Sequence, residues 1–162
     1  MYKTDKTDLE VVNLLMEDGR MPSAEIARRI GGITERTVRY RINRLVEAGI
    51  IRVSAIVNPR ALGYSVVADV FIEVAAGHIM EVANLLAGYE QVSYVSCSIG
   101  ESDVSIQVVA NSNEEVYNFV TGTVGKIPGV RKTVTSIVPV TVKDVYQWRI
   151  PDTSHAETEI IR

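Results

Sequence analysis

TERTVRYRINRLVEAGII, residues 34–51, is the stretch whose reading decides how the rest of this chain is built. Val38, Ile42, Leu45 and Val46 recur at i, i+4, i+7 and i+8, so one stripe of a helix is apolar. The opposite face collects Arg36, Tyr40, Asn43 and Glu47, with Thr37, Arg39 and Arg44 on its flanks. That face is basic and rich in hydrogen-bond donors. Thr34 is placed to cap the start, and Gly49 stands where a left-handed residue closes a helix.

Working back from Thr34, Gly31-Gly32 makes a tight turn behind a short helix over residues 24–30, capped by Ser23, with Ile26, Ala27 and Ile30 pointing inward. Asp18-Gly19 and Pro22 stop a preceding helix that Thr7-Asp8-Leu9-Glu10 opens as a capping box, with Leu9, Val12, Leu15 and Met16 on one face. Three helices, the last two joined by a glycine turn, make a helix-turn-helix unit. Working forward, the β-branched run 50–57 predicts an extended strand, part of it a wing beside the third helix. Asn58-Pro59 to Gly63 marks a domain boundary.

Beyond the boundary, strands and helices alternate. Val66, Ala68, Val70, Ile72 and Val74 alternate with Val67, Asp69, Phe71 and Glu73, the period of a strand with one buried face. A helix over 79–86, a strand over 92–99 and a turn at Gly100–Asp103 into Val104, Ile106 and Val108 follow. A helix over 113–124, a stop at Ile127-Pro128-Gly129 and a strand over 130–138 complete the order βαββαβ. The fold class is therefore α+β, a helix-turn-helix domain followed by a ferredoxin-like domain. Phe71, Tyr94 and Val109 fall off the helix-covered face, which predicts a second subunit over them; the alternative is a scatter of surface apolar groups. The expected domains are 1–57, a linker 58–64, a second domain 65–150 and a loosely ordered tail 151–162.

Charge divides along the same line. Residues 1–63 hold 11 Lys/Arg against 8 Asp/Glu, and residues 64–162 hold 6 against 12, so the first part is +3 and the rest −6. A basic segment joined to an acidic one points to a polyanion partner for the former. Cys97 is the single cysteine, which excludes an intrachain disulfide and reads as a buried strand residue in a reducing compartment. The charged start and the lack of a long apolar run predict a soluble, cytoplasmic protein without signal peptide or membrane span.

With these elements in place the chain resembles the Lrp/AsnC family of transcriptional regulators over residues 4–143. The residues that carry the resemblance are Asp5-x-x-Asp8, Asp18-Gly19-Arg20, Ala27, Gly31, Thr34, Thr37-Val38, Arg41-Ile42 and Leu45; Gly49-Ile50-Ile51 and Asn58-Pro59-x-x-Leu62-Gly63 continue it through the linker. Gly100-x-x-Asp103 with Ile106 and Val108, then Val130, Thr133, Thr135 and Lys143, extend it through the second domain. The resemblance implies an N-terminal domain that binds double-stranded DNA and a C-terminal effector-sensing, oligomerising domain of the RAM type. It also implies dimers formed through the C-terminal sheets, assembly of dimers into octamers, and a small effector, usually an amino acid, bound near the Gly-x-x-Asp hairpin.

For the DNA site, Arg36, Tyr40 and Asn43 can reach base edges or phosphates in a major groove. Thr34, Thr37 and Arg44 suit phosphates. Arg39 and Arg41 complete the candidate set, with Arg41 close enough to the apolar stripe to brace the domain through a carboxylate instead. The bland alternative is a solvated face on which Arg39 pairs with Glu35. For the effector site, Asp103 can receive an amino group, Gly100 admits close backbone approach, Thr133 and Thr135 offer hydroxyls, and Val104 sets the size of the pocket. The alternative is a hairpin whose Gly and Asp serve turn geometry alone. His78 and His155 stand apart from any ligand or catalytic constellation, so no catalytic residue, metal or cofactor is expected. The remaining functional alternatives are an architectural DNA-binding protein and a tetrapyrrole decarboxylase of the same two-domain architecture.

Overall fold

The computed structural model describes residues 2–144 and 147–151; His155 and, apart from Pro151, the tail expected at 151–162 lie outside them. The chain forms two compact units, one of them Val57–Val142 and the other made of the residues on either side of it. Of the described residues after Val142, 143–144 and 147–151 fall in that other unit.

The helical unit contains α1 (Lys6–Glu17), α2 (Ser23–Ile30) and α3 (Glu35–Glu47). Val11, Val12, Met21, Ile26, Val38 and Leu45 form its core, and Ile150 packs against it. The apolar stripe of α3 is as expected for Val38 and Leu45, with Ile42 at its edge, but Val46 is exposed on the rim. Thr34 caps α3 by accepting from the Thr37 amide at 3.1 Å, and Gly49 closes it at φ +68°.

Two caps differ from expectation. Asp5, not Thr7, caps α1: its Oδ1 accepts from the Asp8 amide at 2.8 Å while Asp8 Oδ2 accepts from the Asp5 amide at 3.1 Å, a reciprocal capping box. At α2 Pro22 holds the cap position with φ −61° and ψ 141°, so Ser23 is already the first helical residue and makes no cap bond. The strand expected over 50–57 does not form. The run is β-branched, but residues 52–57 are exposed and no strand in the described chain pairs with them.

The second unit is a four-stranded antiparallel sheet in the order β2-β3-β1-β4, with β1 (Val66–Val74), β2 (Val92–Cys97), β3 (Val104–Ala110) and β4 (Val130–Ile137). The helices α4 (Ile79–Leu86) and α5 (Asn113–Gly122) lie on one face, and a short 3-10 turn at Val124–Lys126 replaces the last turn expected of α5. The core is the inward side of the alternation: Ala68, Val70, Ile72 and Val74 of β1 and Val104, Ile106, Val108 and Ala110 of β3, packed on Val82, Leu86, Val116 and Val120.

The other sheet face is open. Phe71, Tyr94 and Val134 stand exposed on it at 42 %, 53 % and 47 %, and Val109 is half-buried there. Cys97 departs from expectation. It ends the edge strand β2 and is exposed, its Sγ 4.0 Å from Met80 Sδ at the start of α4.

Candidate nucleic-acid interface and ligand cavity

The arginines of α3 divide into engaged and free. Arg39 pairs with Glu35 one turn earlier, the arrangement of the bland reading. Arg41 turns inward: its Nη1 donates to Asp5 at 2.9 and 2.8 Å and to Asp8 Oδ1 at 2.7 Å. Of the two roles open to Arg41, the structure realises the brace. Asp8 is 1 % exposed, and Tyr2 donates its hydroxyl to Asp8 Oδ2 at 2.8 Å. Desolvation pushes the Asp8 carboxyl up, but the Asp5 amide, the Arg41 guanidinium and the Tyr2 hydroxyl together hold it below its ordinary value. The Asp5 carboxyl is also lowered, by its bond from the Asp8 amide and then by Arg41.

Among the described residues, Arg36 and Arg44 are the α3 arginines with no carboxylate in ion-pair range, and both are exposed. Arg44 donates to the Tyr40 hydroxyl at 2.7 Å, and its guanidinium carbon lies 5.6 Å from the Tyr40 ring centre and 4.9 Å from that of Tyr2. Asn43 and Tyr40 are exposed beside them. The Thr34 and Thr37 hydroxyls lie 2.9 Å apart at the helix start. The outer face of α3 therefore presents Arg36, Tyr40, Asn43 and Arg44 together, a surface able to donate to phosphate oxygens and base edges. Tyr2 escaped the sequence reading because nothing in the order of residues places it beside α3.

The sheet unit carries an open cavity of about 530 Å³ beside the β2–β3 hairpin. Phe71 and Val134 line it from the open sheet face, Ile99, Gly100 and Glu101 from the hairpin, and an ion pair of Lys132 Nζ with Glu73 Oε1 at 2.8 Å forms part of its wall. Of the residues expected here, Gly100 alone is in that lining. Asp103 is engaged in holding the hairpin to the sheet: its Oδ2 accepts from the Val74 amide at 2.8 Å and its own amide donates to Ile72 O at 3.0 Å. Val104 is fully buried in the core.

Thr133 and Thr135 lie opposite Ile72 and Val70, on the helix-covered face, while Lys132 and Val134 lie opposite Glu73 and Phe71 and reach the cavity. A register shift between Glu73 and Val74 pairs Val130 with Val74 but Lys132 with Glu73, so the alternation of β4 changes phase at Arg131. An acidic residue of β1 facing a basic one of β4 is the sequence signal that would have found this pair. Among the described residues no helix is long and apolar enough to cross a membrane, and no group of His, Cys, Asp and Glu is arranged to hold a metal ion.

Comparison with known proteins gives two matches along the chain: a winged helix-turn-helix DNA-binding family over residues 4–52 and the Lrp/AsnC ligand binding domain over residues 67–148. The HTH-type transcriptional regulator FL11 of Pyrococcus abyssi is 40% identical over 147 residues, spanning 90% of this chain and 96% of the relative. Among solved structures, E. coli AsnC aligns with a TM-score of 0.81 at 25% identity, covering 88% of this chain and 97% of that one. The transcriptional regulator NMB0573 of Neisseria meningitidis, solved as an L-Met complex, aligns with a TM-score of 0.83 at 23% identity over 95% of this chain and 99% of its own.

Proposed function

The chain belongs to the Lrp/AsnC family and is a DNA-binding transcriptional regulator with a ligand-binding domain, not an enzyme, and from that premise we propose that it reads operator DNA in a sequence-specific way through the outer face of α3. The observation that carries this reading is the exposed group Arg36, Tyr40, Asn43 and Arg44, in which neither arginine has a carboxylate partner among the described residues. The net positive charge of residues 1–63 favours approach to DNA, and the acidic remainder limits the contact to that unit. Arg36→Ala is expected to weaken operator binding by about 1 to 3 kcal/mol without changing the assembly, read by gel shift and light scattering. Wild-type affinity in that variant would place base reading elsewhere. Equal affinity of the wild type for operator and scrambled DNA would instead indicate an architectural protein.

The regulation proposed is a small effector, in the amino-acid class, that alters a homo-oligomeric assembly and thereby the spacing of the DNA-reading heads. The exposed apolar side chains of the open sheet face support self-association as a dimer or a larger assembly such as an octamer. The cavity beside the hairpin combines opposite charges with apolar walls, the character a zwitterion with an apolar side chain needs. The description of the Neisseria relative as an L-Met complex supports that class. Light scattering and operator affinity across a panel of amino acids test it, and no change in either with any of them would leave DNA binding standing without an effector. A cytoplasmic location accords with this role.

A further inference from the structure

Arg44 sits in the last turn of α3, exposed, and the structure ties it to a residue outside the helix-turn-helix. Its guanidinium lies over the Tyr2 ring at 4.9 Å and over the Tyr40 ring at 5.6 Å, and one of its five N–H groups is engaged, by the Tyr40 hydroxyl. The Tyr2 ring is itself held at two points. Its hydroxyl donates to the buried Asp8 carboxylate at 2.8 Å, and its body is half-buried against the helical core. A long arginine side chain is ordinarily free to sample many rotamers, and ordering it on binding costs free energy. Two aromatic faces remove much of that freedom beforehand, and a guanidinium stacked in this way keeps its planar fork available for an anion.

We propose that the segment ahead of α1 belongs to the DNA-binding surface, with Tyr2 as a positioning residue that holds Arg44 ready for a backbone phosphate. The proposal rests on α3 facing DNA. Tyr2 contributes stacking, Arg44 the charge, and packing of the Tyr2 ring on the helical core keeps it beside α3.

Affinity for a fluorescent mixed-sequence DNA duplex, followed across a salt titration with thermal unfolding measured in parallel, tests the idea without knowledge of the operator. Arg44→Ala is expected to lower affinity and to reduce the slope of log K against log salt by about 1. Tyr2→Leu keeps an apolar side chain on the core but has no π face, and is expected to lose about five-fold in affinity. Tyr2→Phe keeps the face and loses the Asp8 bond, so its unfolding midpoint falls while its DNA affinity stays at the wild-type value. In the Arg44→Ala background, Tyr2→Leu should have no further effect. A Tyr2→Leu protein that binds as wild type, an additive double variant, or a DNA affinity that tracks the unfolding midpoint through both Tyr2 variants would overturn the proposal. Wild-type binding by Arg44→Ala would overturn it too, and would leave the role of α3 intact provided Arg36→Ala still weakens binding.

Discussion

Asp8 combines near-complete burial with a negative charge, and three donors make that combination tolerable. Removing the charged one among them, as in Arg41→Leu, is expected to destabilise the helical unit by about 3 kcal/mol, measured by urea titration of the helical signal. The pH dependence follows from the sign of the shift. The Asp8 carboxyl is lowered in the folded chain, so the unfolded chain takes up its proton first. The stabilisation is present above about pH 4 and is lost as pH falls through the folded-state value. Without Arg41, desolvation counts for more and the carboxyl rises, so the acid transition should move to higher pH. An unchanged acid midpoint in Arg41→Leu would show that the brace contributes little. The sequence alone placed Arg41 at the edge of the apolar stripe, which left a brace and a DNA contact equally open; the choice depends on a partner 33 residues away.

At the scale of elements, the strong periods were legible and the exceptions have local causes. β1 and α4 have the bounds their alternation and helical spacing predict, because each buries one continuous face. The cap of α1 was misplaced because Thr7 and Asp5 are both competent caps, and the tertiary bond of Asp5 to Arg41 favours the latter. The expected strand over 50–57 had propensity without a partner. Thr133 and Thr135 were carried over with the family resemblance, and the bulge that goes with their place on the helix-covered face cannot be seen in the alternation of one strand.

Gly129 shows how tightly one such junction is built. It lies at φ +94°, accepts a bond from the Ala75 amide at 2.7 Å, and a Cβ placed on it would stand 2.7 Å from His78 Cβ. Gly129→Ala is expected to cost about 1 to 3 kcal/mol of stability in urea unfolding. Gly122→Ala, at the end of α5 with open space around its Cβ, should be neutral or stabilising by up to about 1 kcal/mol. Equal losses in both variants would mean that the close approach at Gly129 carries no special cost.

For the whole molecule, the question is what covers the open sheet face. Phe71 and Val134 are directly opposite one another in the register and both are exposed, with Tyr94 on the same side. Asp69 and Gln107 lie among them, Gln107 Nε2 donating to Asp69 Oδ1 at 3.2 Å, so one oxygen of that carboxylate has a donor within the face itself. Phe71→Glu is expected to lower the mass of the assembly in light scattering while leaving the circular dichroism spectrum unchanged. An assembly of unchanged mass would locate the contact elsewhere. The sequence made the open face visible through alternation, whereas the ion pair in the cavity wall needed the register of β1 against β4 before Lys132 and Glu73 could be seen to meet.

The contact between Arg41 and Asp8 also has a meaning in time. During synthesis the residues of α1 leave the ribosome before those of α3, and the guanidinium that neutralises Asp8 follows 33 residues later. Until then α1 is a short helix carrying an unpaired acid on the side it must bury, and short isolated helices are marginal in water. The first helix therefore lacks the guanidinium that neutralises its buried acid until the third has been made.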